Sequence, residues 1–183
     1  MLRIGLGHDT HRLVAGSSFI LGGVRIEHAK SLQGHSDADV LLHAVADALL
    51  GAAGLGDIGE LFPDTEPVNR NRDSAEMLKI VCEQVRRNDW KIVNLDTVVF
   101  AEKPKIAPYK EAIRKRIAEL LDIDVRQVGI KAKTGETIGI IGREEAVSVE
   151  CVVLLRSTAV TLPAFIAKQS CTVATGYPSR RLF

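Results

Sequence analysis

The sequence predicts an α/β fold: a two-layer α/β sandwich with a mixed β-sheet and helices on one face. Three observations carry this expectation. Strand-like and helix-like stretches interleave in the order β, β, α, α, β, α, β, β, with no internal repeat and no linker. The chain has 183 residues, a length that one domain with a sizeable core accounts for. Hydrophobic residues make up 46% and charged residues 26%, as in an ordinary globular protein.

Taken in order, Leu2 to Gly7 alternates Leu and Ile with smaller or polar residues, the pattern of a strand. Ser18 to Ile26 holds two short apolar runs around Gly22-Gly23 and predicts a hairpin or bent strand. Glu27 to Gly34 is expected to be a polar loop. Ser36 opens a helix in a box-like capping arrangement with Asp39; the helix runs to about Ala53 and stops at Gly54. This helix is apolar nearly all round, so it should be buried; its polar exceptions, Asp39, His43 and Asp47, form one stripe at i, i+4, i+8. Gly54 to Asp64 is glycine-rich with a short helical piece, and Thr65 to Arg72 is a polar loop. Asp73 or Ser74 caps a second helix to about Asn88, with Met77, Leu78, Val81 and Val85 on its inner face. Ile92 to Ala101 predicts a central strand. Pro108 suits the first turn of a third helix with the stripe Ile113, Ile117, Leu120 and Leu121. Val128 to Lys133 is a strand, Thr134 to Arg143 a loop, and Ala146 to Leu155 the last strand.

Composition excludes several classes. The net charge is +1, which gives no sign of a nucleic-acid surface. The charge is uneven: no Asp or Glu follows Glu150, whereas Arg156, Lys168, Arg180 and Arg181 do. A core domain over 1–158 and a basic C-terminal extension over 159–183 are therefore expected. Cys82, Cys151 and Cys171 are odd in number and widely spaced, so neither a disulfide framework nor a cysteine zinc site is indicated. No signal peptide and no bilayer-spanning run is evident, and a cytoplasmic location with no membrane partner is expected.

The chemistry concentrates at Gly7-His8-Asp9-Thr10-His11. All five histidines fall within the first 43 residues. On an extended segment Asp9 and His11 point to one face, and helical His43 can join them from another element. Two histidines and an aspartate leave one tetrahedral position of a zinc ion open, the layout of a catalytic site. Asp-x-His by itself is also a common polar strand end, and a stripe carboxylate could instead bond His43 with no metal. Other strand-end loops add phosphate-binding chemistry. Ser36 at a helix N-terminus, Asp57 and Gly59, Lys103 and Lys105, and Lys133-Thr134-Gly135-Glu136 supply amides, cations and a carboxylate for a hard cation. Taken singly, each has a plain reading as a solvated turn. Together they suggest a zinc and a magnesium around a diphosphate, a phosphoryl-transfer site.

Several long segments then identify a family. Gly-His-Asp-Thr-His, Ile-Leu-Gly-Gly-Val-Arg-Ile, the stretch from Gly34 to Ala52, Gly-Asp-Ile-Gly-Glu-Leu-Phe-Pro-Asp-Thr and Ile-Lys-Ala-Lys-Thr-Gly-Glu closely resemble the 2-C-methyl-D-erythritol 2,4-cyclodiphosphate synthases, cyclases of the non-mevalonate isoprenoid pathway. The resemblance runs from about Leu2 to Arg156. It implies a homotrimer with active sites between subunits and a small nucleotide-linked substrate, 4-diphosphocytidyl-2-C-methyl-D-erythritol 2-phosphate. The 2-phosphate attacks the β-phosphorus and CMP leaves. By matching positions, Asp9, His11 and His43 hold zinc, and Glu136 carries magnesium or manganese. His35 and Thr134 orient and stabilise the phosphates, beside Thr10, Ser36, Lys133 and Gly135. Asp57, Ile58 and Gly59, with Phe62, Pro63, Asp64, Thr65 and Glu66, hold the methylerythritol portion. Ala101, Glu102, Lys103, Pro104, Lys105, Ile106 and Ala107 of a neighbouring subunit grip cytosine. Ile140 and Arg143 face the threefold axis, where an isoprenoid diphosphate could bind. Three departures from the common family pattern stand out: Lys133-Thr134-Gly135 in place of a threonine run, Ile140 in place of an aromatic residue, and the long basic tail. A metal-binding but non-catalytic trimer and a metal-dependent phosphohydrolase are the alternative readings.

Overall fold

A computed structural model describes residues 1–159. The expected basic extension lies, apart from Ala159, outside the described residues. The chain forms a mixed α/β fold whose helices cover one face of a sheet. The five-stranded sheet has the order β4-β1-β7-β5-β6, and a separate two-stranded sheet pairs β2 with β3. The elements are β1 (Leu2–Ala15), β2 (Phe19–Leu21), β3 (Val24–Ile26), β4 (Lys30–Gln33), α1 (Val40–Ala53), α2 (Ile58–Leu61), α3 (Ser74–Arg87), β5 (Trp90–Phe100), α4 (Lys110–Leu121), β6 (Val128–Lys133), α5 (Gly139–Gly142) and β7 (Ala146–Ser157). Only β5 and β6 run parallel; the other pairs are antiparallel. Among the described residues no helix is long and apolar enough to cross a membrane.

Burial alternates along the strands with period two. Gly5, Gly7, Leu13, Leu95, Val99, Val149, Cys151, Val153 and Ile130 turn toward the helices and are buried. On the opposite face Leu2, Ile4 and Leu6 are 63%, 72% and 68% exposed, and Val152 is 45% exposed. One face of the sheet therefore has its helical layer, and the other presents an apolar strip.

The position of α1 is set by glycine. A Cβ on Gly5 would lie 1.9 Å from the carbonyl oxygen of Ala48, and one on Gly7 would lie 2.0 Å from that of Ala44. The alanine-lined helix thus sits directly on the backbone of β1, closer than any side chain there would permit. Twelve of its residues are buried, which explains the apolar pattern all round.

Four expectations need correction. β1 does not stop at Gly7: its pairing with β7 runs unbroken from Leu2↔Arg156 to Arg12↔Ala146, so Asp9 and His11 lie mid-strand. Lys30–Gln33, read as loop, pairs with β1 as an edge strand, where polar side chains are tolerated on the solvent side. Ser36 does not open α1. The N-cap is Asp39, whose Oδ1 accepts from the N–H groups of Leu41 and Leu42. The loop before β7 contains the single turn α5. The expected central strand is borne out: β5 lies between β7 and β6.

Asp39 is fully buried and does not serve His43. Its carboxylate also accepts from Gly22 N–H at 2.9 Å and Gly23 N–H at 2.6 Å, tying the β2–β3 turn to the start of α1. Burial pushes its pKa up, and the backbone donors oppose the rise. Asp39→Asn places an amide among N–H donors. A loss of about 2 kcal/mol is expected, from buried donors left unsatisfied, read as a lower denaturant midpoint at an unchanged slope.

Candidate active site

Asp9 and His11 project from β1 toward α1, on the face where Gly5 and Gly7 admit the helix. His43, one turn into α1, meets them there. Asp9 Oδ2 lies 2.9 Å from His11 Nε2 and 3.0 Å from His43 Nδ1. The two rings are 5.2 Å apart between centroids. The three ligand atoms lie within 4.8 Å of one another, so the group can hold a metal ion. Tetrahedral zinc with ligands at about 2.0–2.1 Å needs ligand–ligand separations near 3.3 Å, and small rotations of the three side chains reach it. The donor set fits a borderline cation, with a carboxylate between two imidazoles.

The electrostatics favour an ionised Asp9. Burial alone would raise its pKa, but hydrogen bonds and charge from His11 and His43 hold it well below the usual carboxylate range. Burial would lower the pKa of His43, yet the bond and charge of Asp9 push it up. His43 Nε2 faces Ser74 Oγ at 2.9 Å and Ser36 Oγ at 3.1 Å. The partners of His43 are thus Asp9 and two serines; the stripe carboxylates Asp39 and Asp47 serve elsewhere. Asp47 Oδ1 accepts from Ile58 N–H at 2.8 Å, which fastens α2 to α1.

A cleft of about 570 Å³ opens over the side chains of Asp9, His11 and His43. Thr10 lines it from β1, and His35 and Ser36 line it from the loop before α1. Ile58, Gly59, Phe62, Pro63, Asp64 and Thr65 line it from α2 and the following loop. Asp57 and Glu66 do not line it: Asp57 caps α2 through Glu60 N–H at 2.8 Å, and Glu66 precedes a short 3-10 turn. Ser36 accepts from Ala38 N–H rather than standing at a helix terminus. Sequence reasoning did not place Arg12, Gln33, Gly34, Asp47, Asn69 or Met77 in the lining. Arg12, next to His11 on β1, and Asp47, on the helical stripe of His43, were the ones with a readable signal.

The second expected group gathers elsewhere. Ala101 N–H donates to the carbonyl of Lys133 at 2.9 Å, and Gly135 N–H donates to Glu102 Oε2 at 3.1 Å. Thr134 Oγ1 donates to Glu136 Oε1. The loops carrying Glu102, Lys103, Pro104, Lys105, Ile106 and Ala107 and carrying Lys133 to Glu136 therefore form one unit. Across the sheet, Thr10 pairs with Ser148, Ser148 with Phe100, and Phe100 with Lys133. Three strand intervals separate the two groups by about 14 Å, and none of the second group lines the cleft. Ile140 lies on α5, half exposed, and Arg143 makes a bidentate pair with Glu145 at 2.8 and 3.2 Å.

A family model described as the YgbB family matches residues 2–156. The chain belongs to the YgbB family. YgbB relatives named 2-C-methyl-D-erythritol 2,4-cyclodiphosphate synthase include one from Shouchella clausii, 51% identical over 156 residues, 85% of this chain and 98% of the relative. One from a Geobacillus species is 53% identical over 156 residues, 85% and 99% of the two chains. Among solved structures, the CDP complex of IspF from Plasmodium falciparum superposes with a TM-score of 0.76 at 35% identity, over 86% of this chain and 97% of that one. The bifunctional IspDF of Campylobacter jejuni gives 0.83 at 41% identity, over 86% of this chain and 42% of that larger one. The YgbB match covers β1 through β7 but for the last residue of that strand, and so contains both residue groups.

Proposed function

We propose that this chain is a 2-C-methyl-D-erythritol 2,4-cyclodiphosphate synthase, a phosphorus-oxygen lyase of isoprenoid precursor biosynthesis. It converts 4-diphosphocytidyl-2-C-methyl-D-erythritol 2-phosphate to the cyclic diphosphate and releases CMP. The observation that carries the reading is the Asp9, His11 and His43 cluster at the floor of the cleft, in a YgbB chain about half identical to synthases over nearly their whole length. A phosphate oxygen at C2 forms a bond to the β-phosphorus, and the bond from that phosphorus to the CMP oxygen breaks, its electron pair leaving with CMP. A divalent ion on the three ligands, zinc by its donor set, supplies Lewis-acid stabilisation of phosphate charge. His35 at the cleft mouth orients the phosphates, and Ile58, Gly59 and Phe62 to Thr65 enclose the sugar portion. Thr134, Lys133 and the Gly135 amide, once it exchanges its bond to Glu102 for a phosphate oxygen, hold the diphosphate, with magnesium or manganese on Glu136. The 101–107 loop takes the cytosine.

Two observations support a homotrimer whose sites lie between subunits. The separation of about 14 Å between the two groups prevents one chain from closing over the substrate with both, whereas a second copy can bring its own 101–107 and 133–136 loops. The bare apolar strip of Leu2, Ile4, Leu6 and Val152 offers a face for such packing. For an axial isoprenoid diphosphate the support is weaker, because the Arg143 guanidinium is taken by Glu145. Calorimetry with farnesyl diphosphate on wild type and Arg143→Ala tests it, and equal affinities reject it.

The deciding experiment incubates substrate with the protein and magnesium and resolves the products by phosphorus NMR, beside sizing in solution. CMP with the cyclic diphosphate is expected; a linear product means a phosphohydrolase, and no CMP means a binding protein. Lys133→Thr removes a charge-assisted phosphate contact worth roughly 1.5–3 kcal/mol. It should raise KM about tenfold or more, by the same principle, with the product unchanged. An unaltered KM would place Lys133 outside the site.

Metal binding should depend on pH through His43. With its folded pKa raised above the ordinary 6.5, the paired imidazolium stabilises the metal-free fold fully below pH 6.5, and that contribution fades as pH rises through the raised value. Asp9, depressed from 3.8, stabilises above that pH and loses its contribution only as pH falls through the depressed value. Zinc must displace the His43 proton. Zinc affinity is therefore expected to fall steadily as pH drops through the raised pKa of His43, with proton release on binding at neutral pH. Calorimetry in buffers of different ionisation enthalpy reads both.

A further inference from the structure

We propose that Ser74 and Asp37 are positioning residues for the metal site: together they hold a proton on His43 Nε2, so that Nδ1, beside Asp9, is the nitrogen that gives up its proton to the metal. The inference depends on Asp9, His11 and His43 forming a zinc site, and it concerns residues outside that set.

Ser74 is the first residue of α3 and is 1% exposed, so its hydroxyl has no water to turn to. Asp37 lies before α1 and reaches across to it. Its Oδ2 accepts from the Ser74 backbone N–H at 3.2 Å, and its Oδ1 accepts from the Ser74 hydroxyl and from Asp39 N–H at 3.2 Å. A carboxylate only accepts, so the single hydroxyl proton of Ser74 points to Asp37. Ser74 Oγ has only lone pairs left for His43 Nε2, 2.9 Å away. Nε2 must then be a donor whether the ring is charged or neutral, so the proton that a metal displaces is the one on Nδ1. Nδ1 is the nitrogen that lies 3.0 Å from Asp9 Oδ2, among the ligand atoms. A metal-binding imidazole needs this arrangement: one bare nitrogen at the metal, the other N–H held by an outer partner.

Ser36 sharpens the inference. Its Oγ is also within reach of His43 Nε2, at 3.1 Å, but its hydroxyl proton is not committed to a carboxylate. It accepts from Ala38 N–H and lies 3.4 Å from Ser74 Oγ. Ser36 can thus adapt to either tautomer, whereas Ser74, locked by Asp37, accepts only one. The two serines touch the same ring nitrogen, and only one of them carries tautomer information.

The test compares zinc affinity, by competition with a chromophoric chelator, in wild type and in Ser74→Ala, Ser74→Thr and Ser36→Ala. Outer partners of this kind are worth on the order of 10- to 100-fold in metal affinity. Ser74→Ala is expected to lose about that much, Ser74→Thr to recover most of it, and Ser36→Ala to stay near wild type. A purely structural role for Ser74 would shift thermal stability without this pattern. A direct reading on the wild type needs no variant. In the zinc-loaded, nitrogen-15-labelled protein, the His43 Nε2–H should exchange slowly with solvent and show a nuclear Overhauser contact to the Ser74 β-protons. A fast-exchanging Nε2–H without that contact overturns the proposal, as does undiminished zinc affinity in Ser74→Ala. If His43→Ala loses zinc while Ser74→Ala keeps it, the metal site stands and the relay alone is rejected. If neither variant changes zinc binding, the metal site itself fails.

Discussion

Replacing His43 by Ala should abolish stoichiometric zinc binding and reduce cyclisation by at least about 10³-fold, while the helix content stays as it was. The magnitude follows from the several kcal/mol that a Lewis-acidic ion contributes to phosphate charge in the transition state, at a factor of ten per 1.36 kcal/mol. The helix survives because α1 is held by its apolar faces, including Leu41, Leu42, Val45, Leu49 and Leu50, all buried against β1, β7 and α3. Removing the imidazole also leaves Ser74 Oγ without its donor and relieves Asp9 of one of the two neighbours that keep it ionised. Metal content by emission spectroscopy, turnover by CMP release and far-UV dichroism on the same sample check the three parts. Retained zinc with normal turnover would remove His43 from the ligand set.

Gly7→Ala should be at least as damaging, by a different route. The added methyl would meet backbone atoms: the Ala44 carbonyl oxygen at 2.0 Å and the Ala48 nitrogen at 2.7 Å. Neither can rotate away as a side-chain tip would, so α1 as a whole must move off β1. Overpacking of this kind costs about 3 kcal/mol or more, which for a domain of this size lowers Tm by roughly 6–12 °C. The same displacement draws His43 away from Asp9 and His11, so zinc affinity should fall although no ligand has been touched. Gly51→Ala, in the same helix, is the control. A Cβ there meets nothing within 4 Å, and replacing a helix-interior glycine is expected to stabilise by about 0.5–1 kcal/mol. Thermal melts with and without zinc separate the two cases. Equal stability of Gly7→Ala and wild type would mean that the close approach of α1 is not what sets the site.

Much of the fold was readable because its elements are signalled by neighbours in sequence. α1 declares itself by an unbroken apolar run closed by Gly54 in the left-handed region, φ 73°. α3 and α4 show inner stripes at helical spacing, and β7 is almost entirely β-forming residues. The group that could hold a metal was readable too. Asp9 and His11 share a face through the two-residue strand period, and the segment from Gly34 to Ala52 is long enough to name a family.

What remained hidden depends on partners distant in sequence. Nothing in Thr10-His11-Arg12-Leu13 says that β1 continues past Asp9 and His11, because that extension is imposed by β7, more than a hundred residues later. Lys30–Gln33 becomes a strand only by pairing with β1. The stripe of Asp39, His43 and Asp47 looked like one functional unit. Asp39 was instead claimed by Gly22 and Gly23, and Asp47 by Ile58.

From its own residues, then, the chain determined most of its elements, its family and the three side chains that could hold a metal, since local periodicity and contiguous motifs carry that information. The tertiary structure decided which carboxylate serves which donor, that Ser74 and Asp37 stand behind His43, and that the two groups of candidate site residues lie three strands apart. Those outcomes follow from long-range hydrogen bonds and from the glycine-permitted contact of α1 on β1, and such contacts leave no local trace in the order of amino acids.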